Sequence, residues 1–212
     1  MDRTQSQEEL EPIYQPDTVA HRITFQLYSW LQPVLFALTV LIIVSTFIGR
    51  LIGVDGDSMF PTLHDKDMLL LQSIGYTPKT GDVVVLAPPT FRNGTPIVKR
   101  VIATEGQEVS VYYEDTVDPV TGQLHEAGTV TVDGQQLNQD YLGEPMRLNQ
   151  GDQYLGRYPL TVPEGRVFVL GDNRNASSDS RFYDIGMVDQ RAILGRAVWI
   201  LMPFEHFGGI AG

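Results

Sequence analysis

The chain has 212 residues, 42% of them hydrophobic and 19% charged, a composition typical of a folded protein and not of a disordered chain. Its net charge of −11 speaks against nucleic-acid binding, since a nucleic-acid-binding protein needs a basic face to neutralise phosphates. The absence of cysteine excludes disulfide bonds, thiol nucleophiles and thiolate metal sites. The histidines, His21, His64, His125 and His206, are scattered without an HExxH pair, so the sequence implies neither a metal nor an organic cofactor.

An uncharged run extends from Ile23 to Gly49 near the start of the chain. Continued to Val54, it supplies the about 20 apolar residues that a helix needs to cross a membrane, with Arg50 reaching the interface. The segment before it is long and acidic, and no small-x-small motif follows it. A permanent anchor is therefore favoured over a cleaved signal peptide or a buried core helix. We predict a polar tail at residues 1–22 and a transmembrane anchor at 23–54, with arginines on both sides leaving the orientation open.

Residues 55–212 have the pattern of a β-rich domain, because short apolar and β-branched runs alternate with turn sequences. The more polar residues 113–163 are interpreted as an insertion or a subsidiary sheet on this domain. The predicted fold is therefore mainly β, with a single N-terminal transmembrane helix followed by a β-rich domain that carries the inserted sheet. The predicted strands are Met68–Leu71, Val83–Ala87, Ile97–Ala103, Val109–Tyr112, Thr129–Val132, Val167–Leu170 and Ala192–Met202.

The first candidate functional segment is Val54–Leu63, in which Ser58 follows Gly56 and Asp57. Glycine allows close backbone approach, and Pro61 fixes the chain direction after the serine. A serine in this position could act as a nucleophile, with its own backbone N–H as an oxyanion donor. Taken alone, the segment is explained better as a turn at the start of a strand, because such triplets are common.

The second candidate is Lys99, a lysine inside an apolar strand. A buried lysine must be neutralised or paired, and burial lowers its pKa. Bringing that pKa near 7–8 costs roughly 3–5 kcal/mol of folding free energy. The result would be a neutral amine able to accept a proton from a serine. Taken alone, a lysine that extends to solvent from an edge strand is the simpler explanation.

The third candidate is the polar loop from Gly171 to Arg181, directly after a predicted strand. Its density of hydrogen-bonding side chains predicts a rigid polar scaffold. We expect Asp179 to pair with Arg100, and a serine of this loop to hold the Lys99 amine.

Together these segments resemble the bacterial type I signal peptidases, membrane-anchored Ser–Lys proteases that remove signal peptides from exported proteins. The resemblance covers the anchor and most of residues 33–202. It depends on four blocks that follow one another in the order found in that family. The blocks are Ser58-Met-Phe-Pro-Thr-Leu63, Gly81-Asp-Val-Val-Val85, Lys99-Arg-Val-Ile102, and Gly171-Asp-Asn-Arg174 with Ser177 and Asp179-Ser-Arg181.

The resemblance implies a role for each matching residue. Ser58 is similar to the family's nucleophile and Lys99 to the general base that activates it. Ser177 resembles the serine that orients the lysine amine. Asp179 resembles the acid that pairs with the arginine after the lysine, here Arg100.

The resemblance also implies how a substrate binds. Val54, Met59, Leu63 and Val98 match positions that line shallow apolar pockets for small side chains at −1 and −3 of the substrate. The substrate would lie extended and add a strand to a sheet edge. Some members place a serine where this chain has Gly56, so only the Gly56 backbone N–H is available as a second oxyanion donor.

The implied location is the bacterial cell membrane, crossed once, with the N-terminus cytoplasmic and residues 55–212 extracytoplasmic. The implied partners are the signal peptides of exported preproteins and the lipid bilayer, without nucleic acid, and a monomer is the expected state.

Three other functions compete with this one. A Ser–His hydrolase would use His64 or His125 as its base, but it predicts long helices that this chain lacks. A self-cleaving repressor peptidase would be soluble and carry a DNA-binding module, which the anchor and the acidic charge disfavour. A membrane-tethered β-domain could bind partners without catalysis, in which case loss of Ser58 or Lys99 would be expected, yet both are present.

Overall fold

The computed structural model describes residues 18–47, 50–117, 122 and 124–210. The chain divides after Val44 into two compact units. Helix α1 spans Thr18–Phe47 and contains Pro33. Among the residues that the structure describes, no helix has both the length and the apolarity needed to cross a membrane.

The second unit is built from antiparallel strands in two sheets, which confirms the prediction of a mainly β fold. Short 3-10 turns span Arg92–Gly94, Gln190–Ala192 and Phe204–His206. The strands are β1 (Arg50–Gly53), β2 (Met68–Gln72), β3 (Val83–Leu86), β4 (Ile97–Thr104), β5 (Glu108–Val117), β6 (Leu124–Val132), β7 (Gln135–Gln136), β8 (Met146–Arg147), β9 (Leu160–Thr161), β10 (Arg166–Leu170), β11 (Val188–Asp189), β12 (Ile193–Met202) and β13 (Gly208–Gly209).

All the predicted strands are present, as β2, β3, β4, β5, β6, β10 and β12. The strands that sequence reasoning missed, such as β7 and β13, have only two to four residues. A strand of that length carries too few residues to show an alternating pattern, so its existence depends on the neighbour with which it pairs.

The main sheet has the strand order β1-β2-β12-β3-β4-β10-β11, with β13 added beside β12. The long strand β12 pairs with β3 over its first residues and with β2 over the remainder, with register shifts on both sides. It therefore holds the hairpin of β1 and β2 against the β3–β4 pair. This arrangement brings together segments that are distant in the sequence.

The second sheet has the order β7-β6-β5-β9, with β8 beside β6. It runs from Glu108 to Thr161, whereas the insertion was predicted at residues 113–163. The first half of β5 is apolar and β-branched, so the sequence did not separate it from the main domain.

The predicted anchor region extends too far towards the C-terminus. Helix α1 ends at Phe47, and Arg50–Gly53 form β1 instead of continuing the helix to Val54. Residues of β1 pair with β2, with Arg50 opposite Leu71. These ladder hydrogen bonds satisfy the backbone groups that a helix would otherwise have to satisfy.

Both faces of the main sheet are covered, which explains why β3 is an uninterrupted apolar run. Val83 and Val85 pack in one hydrophobic cluster, whereas Val84 and Leu86 pack in another. A third cluster joins the two sheets, since Phe168 and Leu170 of β10 belong to it with residues of β5 and β6. The strands β4 and β10 thus have packed side chains on both faces.

We predict that Phe168→Ala lowers the free energy of unfolding by about 3–5 kcal/mol. The ring is fully buried between the two sheets, so its loss leaves a cavity that the strands cannot close. The measurement is denaturant unfolding of the detergent-solubilised chain. Phe204→Ala, at an exposed phenylalanine, is the matched control and should change stability by less than about 0.5 kcal/mol. Equal effects of the two variants would contradict this account of the core.

Candidate active site

The side chains of Ser58 and Lys99 meet in the structure, although 41 positions separate them in the sequence. The Lys99 Nζ donates a hydrogen bond of 2.6 Å to the Ser58 Oγ. A second hydrogen bond, of 2.9 Å, goes to the carbonyl oxygen of Val98. Ser58 comes from the segment between β1 and β2, and Lys99 from β4. The amine is therefore fixed against the hydroxyl from two directions.

Burial controls the protonation of the Lys99 amine. The residue is 2% exposed, and loss of hydration lowers the pKa of the amine from 10.5 to about 8. The carboxylates of Asp179 and Asp172 act in the opposite direction, but the desolvation effect is larger. Above pH 8 the amine is mostly neutral and can accept a proton from the hydroxyl it contacts.

Arg100, the residue after Lys99, pairs with Asp172, so the predicted pair with Asp179 is wrong. The guanidinium donates from Nε at 2.9 Å and from Nη2 at 2.8 Å to the two carboxylate oxygens of Asp172. Asp172 comes shortly after Leu170, which lies opposite Arg100 in the β4–β10 ladder. Strand register therefore places Asp172, and not the more distant Asp179, beside the guanidinium.

Asp179 binds its own neighbour in the loop. Its two oxygens accept hydrogen bonds of 2.8 Å from Nε and Nη2 of Arg181. One of these oxygens also accepts the backbone N–H of Gly171, at the end of β10. Both residues of the pair are fully buried. The hydrogen bonds of Asp179 therefore lie within the polar loop, and its charge affects the pKa of Lys99.

Ser177 lies against Gly171 and the backbone of Ser58. A methyl group added at Gly171 would collide with the Ser177 hydroxyl and with the Ser58 carbonyl, so glycine permits this close approach. The Ser177 hydroxyl is buried, and within the described part of the chain it has no hydrogen-bond partner. The structure therefore shows no hydrogen bond from Ser177 to Lys99, and the role of Ser177 in orienting the amine stays a prediction.

The polar loop also holds the segment that carries Ser58. Asn173 donates its backbone N–H to the Ser58 carbonyl at 3.1 Å and its side-chain amide to the Asp57 carbonyl at 3.2 Å. Thr62 donates its hydroxyl to Asp172 at 2.6 Å. Sequence reasoning assigned none of these contacts. The motifs contained all of these residues, but only the fold shows which of them pair.

The backbone N–H groups near Ser58 differ in their availability. No partner for the N–H of Ser58 is found in the part of the chain that the structure describes, so this group can receive an oxyanion. The N–H of Gly56 instead donates to the Asp65 carboxylate at 2.9 Å. The expectation that Gly56 supplies a second oxyanion donor does not fit this geometry, because the carboxylate already occupies the donor.

A cavity of about 240 Å³ adjoins Ser58. Three of the four predicted substrate-binding residues line it, namely Val54, Met59 and Val98. Leu63 does not, since its side chain is fully buried in the hydrophobic cluster beneath the cavity. Further lining residues that the sequence did not indicate include Val85, Phe91 and Ile97.

Larger cavities occur elsewhere among the described residues, and the two of greatest volume are lined by neither Ser58 nor Lys99. One, of about 690 Å³, is lined by residues between Gly128 and Met146. The other, of about 360 Å³, lies beside Arg100 and Tyr141, where the guanidinium stacks 4.3 Å from the ring centre. Volume alone would therefore have selected a different cavity as the candidate site, whereas the chemistry of Ser58 and Lys99 selects the smaller one.

The lowered pKa of Lys99 predicts a pH-dependent contribution to stability. Below about pH 8 the buried amine is charged, and the shift of its pKa from 10.5 destabilises the fold by about 3 kcal/mol. Between pH 8 and 10.5 the unfolded state binds more protons than the folded state, so this penalty disappears as the pH rises. We expect Lys99→Met to be more stable than the natural chain at pH 7, by up to that amount, with the difference vanishing by about pH 10.5.

Denaturant unfolding at several pH values in detergent provides the measurement. Lys79→Met removes an exposed lysine and should show no such pH-dependent difference. A difference for Lys99→Met that stays constant with pH would mean that burial does not control this amine.

Comparisons with known proteins identify the family of this chain. The signal peptidase, peptidase S26 family matches residues 27–202. A probable signal peptidase I-1 from Synechocystis is 33% identical over 81% of this chain and 81% of its own length. Signal peptidase IB from Staphylococcus aureus is 30% identical over 86% of this chain and 93% of its own. A crystal structure of a signal peptidase I from Enterococcus faecalis V583 is 31% identical, covering 57% of this chain and 97% of that chain with a TM-score of 0.41. The chain belongs to the signal peptidase family, peptidase S26, and is a serine peptidase.

Proposed function

We propose that this protein is a membrane-bound endopeptidase that uses Ser58 and Lys99 to remove signal peptides from exported preproteins. The observation that carries the proposal is the 2.6 Å contact between the Ser58 hydroxyl and an amine whose pKa burial lowers to about 8. Relatives that cover most of this chain carry the name signal peptidase I, which supports the same substrate class.

The first chemical step is attack of the Ser58 Oγ on the scissile carbonyl. Lys99 takes the hydroxyl proton as the new C–O bond forms, acting as general base. The carbonyl oxygen becomes an oxyanion, and the backbone N–H of Ser58, which has no partner among the described residues, donates to it. Because the N–H of Gly56 is bound to Asp65, a second donor would require this turn to rearrange when substrate binds.

The second step breaks the peptide bond. Lys99, now protonated, gives its proton to the leaving amine, and an acyl-enzyme forms on Ser58. Water then attacks the acyl carbon while Lys99 accepts its proton, and Lys99 returns that proton to the Ser58 Oγ as the acyl–oxygen bond breaks and the new carboxyl terminus leaves. Asp172 and Arg100 act as positioning residues, since they join the strand of Lys99 to the polar loop. The predicted supporting roles of Ser177 and Asp179 belong to the same scaffold.

A substrate can bind as an added strand beside β4. Strand β10 pairs with β4 only as far as Leu170 opposite Arg100, whereas β3 pairs on the other side as far as Ile97. The first residues of β4 therefore offer an open edge next to Ser58. The small cavity lined by Val54 and Val98 supports specificity for small side chains at −1 and −3, because larger ones would collide with its walls.

We predict that Ser58→Ala and Lys99→Met each lower kcat/KM by at least about 10³-fold in detergent. The substrate is a synthetic signal-peptide junction with alanine at −1 and −3, and the product is identified by mass spectrometry. The reason is that the first variant removes the nucleophile and the second removes its base. Ser73→Ala, at an exposed serine away from the cavity, is the matched control and should retain activity.

The pH profile separates a lysine base from a histidine base. With Lys99, kcat/KM should rise with pH with its midpoint near pH 8, where half of the amine is neutral. A histidine base would place the midpoint near pH 6.5 instead. A midpoint near 6.5, or activity that survives in Lys99→Met, would contradict the proposal.

We further propose that α1 anchors the protein in the bacterial membrane, with the N-terminus cytoplasmic and residues 55–212 extracytoplasmic. The anchor stays a prediction from the uncharged run Ile23–Gly49, and the exposure of large apolar side chains along α1 supports it. These exposed side chains include Trp30, Phe36 and Leu41. Exposed aromatic residues of the second unit, such as Trp199 and Phe207, would provide additional contact with lipid.

We predict that the natural chain stays with the membrane fraction after an alkaline carbonate wash, whereas Leu38→Arg/Leu41→Arg is released. Each arginine at the centre of a spanning helix costs roughly 2.5–3.5 kcal/mol of insertion free energy. Leu155→Arg, at an exposed leucine outside the helix, is the control and should remain bound. Release of the natural chain by the wash would contradict the anchor.

The cysteine-free sequence also allows orientation to be measured. A Ser73→Cys chain in intact cells should react with a membrane-impermeant maleimide, whereas a Ser6→Cys chain should not. The reverse pattern would overturn the proposed orientation.

A further inference from the structure

A cluster of metal-ligand side chains lies apart from Ser58 and Lys99. His64, Asp67 and His206 each place one ligand atom within 4.8 Å of the others. The two imidazole rings stack with their centres 4.3 Å apart and their planes 28° apart. The Nδ1 of His206 lies 2.7 Å from one Asp67 oxygen, and the Nδ1 of His64 lies 4.0 Å from the other.

The charge of Asp67 is the unusual feature of this cluster. The carboxylate is fully buried, and a buried anion must be compensated by a cation. Within the described residues, the ion-pair partners of Asp67 are His64 and His206, with no lysine or arginine among them. Asp172 and Asp179, which are also buried, are each paired with an arginine. Asp67 is thus paired with two imidazoles, whereas Asp172 is paired with a permanently charged guanidinium.

We propose that His64, Asp67 and His206 bind a divalent first-row transition metal ion of the zinc type. Two imidazoles and one carboxylate match the ligand preference of Zn²⁺, whereas Mg²⁺ and Ca²⁺ prefer oxygen ligands alone. Since His64 and His206 are partly exposed, an ion can enter from solvent, and water can supply the fourth ligand. The ion provides the positive charge that Asp67 lacks.

The geometry needs only side-chain adjustment. Ligand atoms of a tetrahedral Zn²⁺ site lie roughly 3.3 Å apart when the bonds are near 2.0–2.1 Å. The separations of 2.7 and 4.0 Å from Asp67 bracket this value, and the ligand atoms of the two histidines lie within 4.8 Å of each other. Because the two rings are stacked, one of them must turn before both can face a single ion. The imidazole of His64 is 42% exposed and can rotate towards the carboxylate.

The bound ion would connect two distant parts of the chain. His64 and Asp67 follow Ser58 in the segment before β2, whereas His206 lies in the 3-10 turn after β12. The ligands do not line the cavity beside Ser58, so the ion would not contact the reacting atoms. Its effect would be to stabilise the junction between the segment after the nucleophile and the C-terminal residues.

The test is metal binding by the tag-free full chain in detergent, after removal of metals with a chelator. Co²⁺ is the optical probe, because its visible absorption reports coordination by imidazole nitrogen, and Zn²⁺ is used for calorimetry and competition. We expect a single ion to bind, with Co²⁺ displaced by Zn²⁺ and unaffected by excess Mg²⁺ or Ca²⁺. Zn²⁺ should also raise the thermal midpoint of unfolding.

Three variants locate the site. His64→Ala and His206→Ala should each weaken Zn²⁺ binding by at least about tenfold and remove its effect on the thermal midpoint. His125→Ala, at a histidine in β6, is the matched control and should bind as the natural chain does. The ring of His64 is not hydrogen-bonded to Asp67, so its removal leaves the Asp67–His206 contact and the fold in place.

Two results would overturn the proposal. The first is the absence of a Co²⁺ spectrum and of Zn²⁺ stabilisation in the natural chain, which would mean that the hydrogen bonds of Asp67 suffice without an ion. The second is Zn²⁺ binding by His64→Ala as tight as that of His125→Ala, which would mean that the metal binds elsewhere. Activity is not the readout, so failure of the proposed peptidase function would leave this test unaffected.

Discussion

The burial of one amine is the constraint on which the rest of the structure depends. Lys99 is almost completely removed from water, and the resulting desolvation lowers its pKa to about 8. Burying the amine costs folding free energy, and the apolar packing on both faces of the main sheet must offset this cost. A lysine on a loosely packed edge would remain hydrated and protonated, and could not act as the proposed base.

Uncompensated negative charge on the carboxylates near Lys99 would raise the pKa of its amine and keep it protonated. Asp172 is bound by Arg100, and Asp179 is bound by Arg181. Each arginine reduces the negative potential that its partner exerts on the amine. The lowered pKa therefore depends mainly on burial, which outweighs both carboxylates, and each carboxylate near Lys99 is paired with an arginine.

The same loop positions Ser58, the proposed nucleophile. Asn173 binds the backbone on either side of the Asp57–Ser58 peptide, and Asp172 binds Thr62 in the same segment. Because Asp172 also binds Arg100, one carboxylate connects the segment of the hydroxyl with the strand of the amine. The 2.6 Å contact between Ser58 and Lys99 results from this shared scaffold, since neither element positions the other alone.

Local sequence patterns were sufficient for the longer strands and for the family to which the chain belongs. Strands such as β3 and β4 carry enough apolar residues to be recognised from the sequence, and the order of the blocks around Ser58 and Lys99 indicated the chemistry.

Such patterns could not predict which residues pair when they are distant in the sequence. Asp172 and Asp179 are both acids in one loop, and only the β4–β10 register decides which one Arg100 binds. His64 and His206 are more than half the chain apart, and only the pairing of β12 with β2 brings their segments together. Local spacing reflects interactions between residues that are close in the sequence, whereas strand register and strand order depend on the packing of the whole domain.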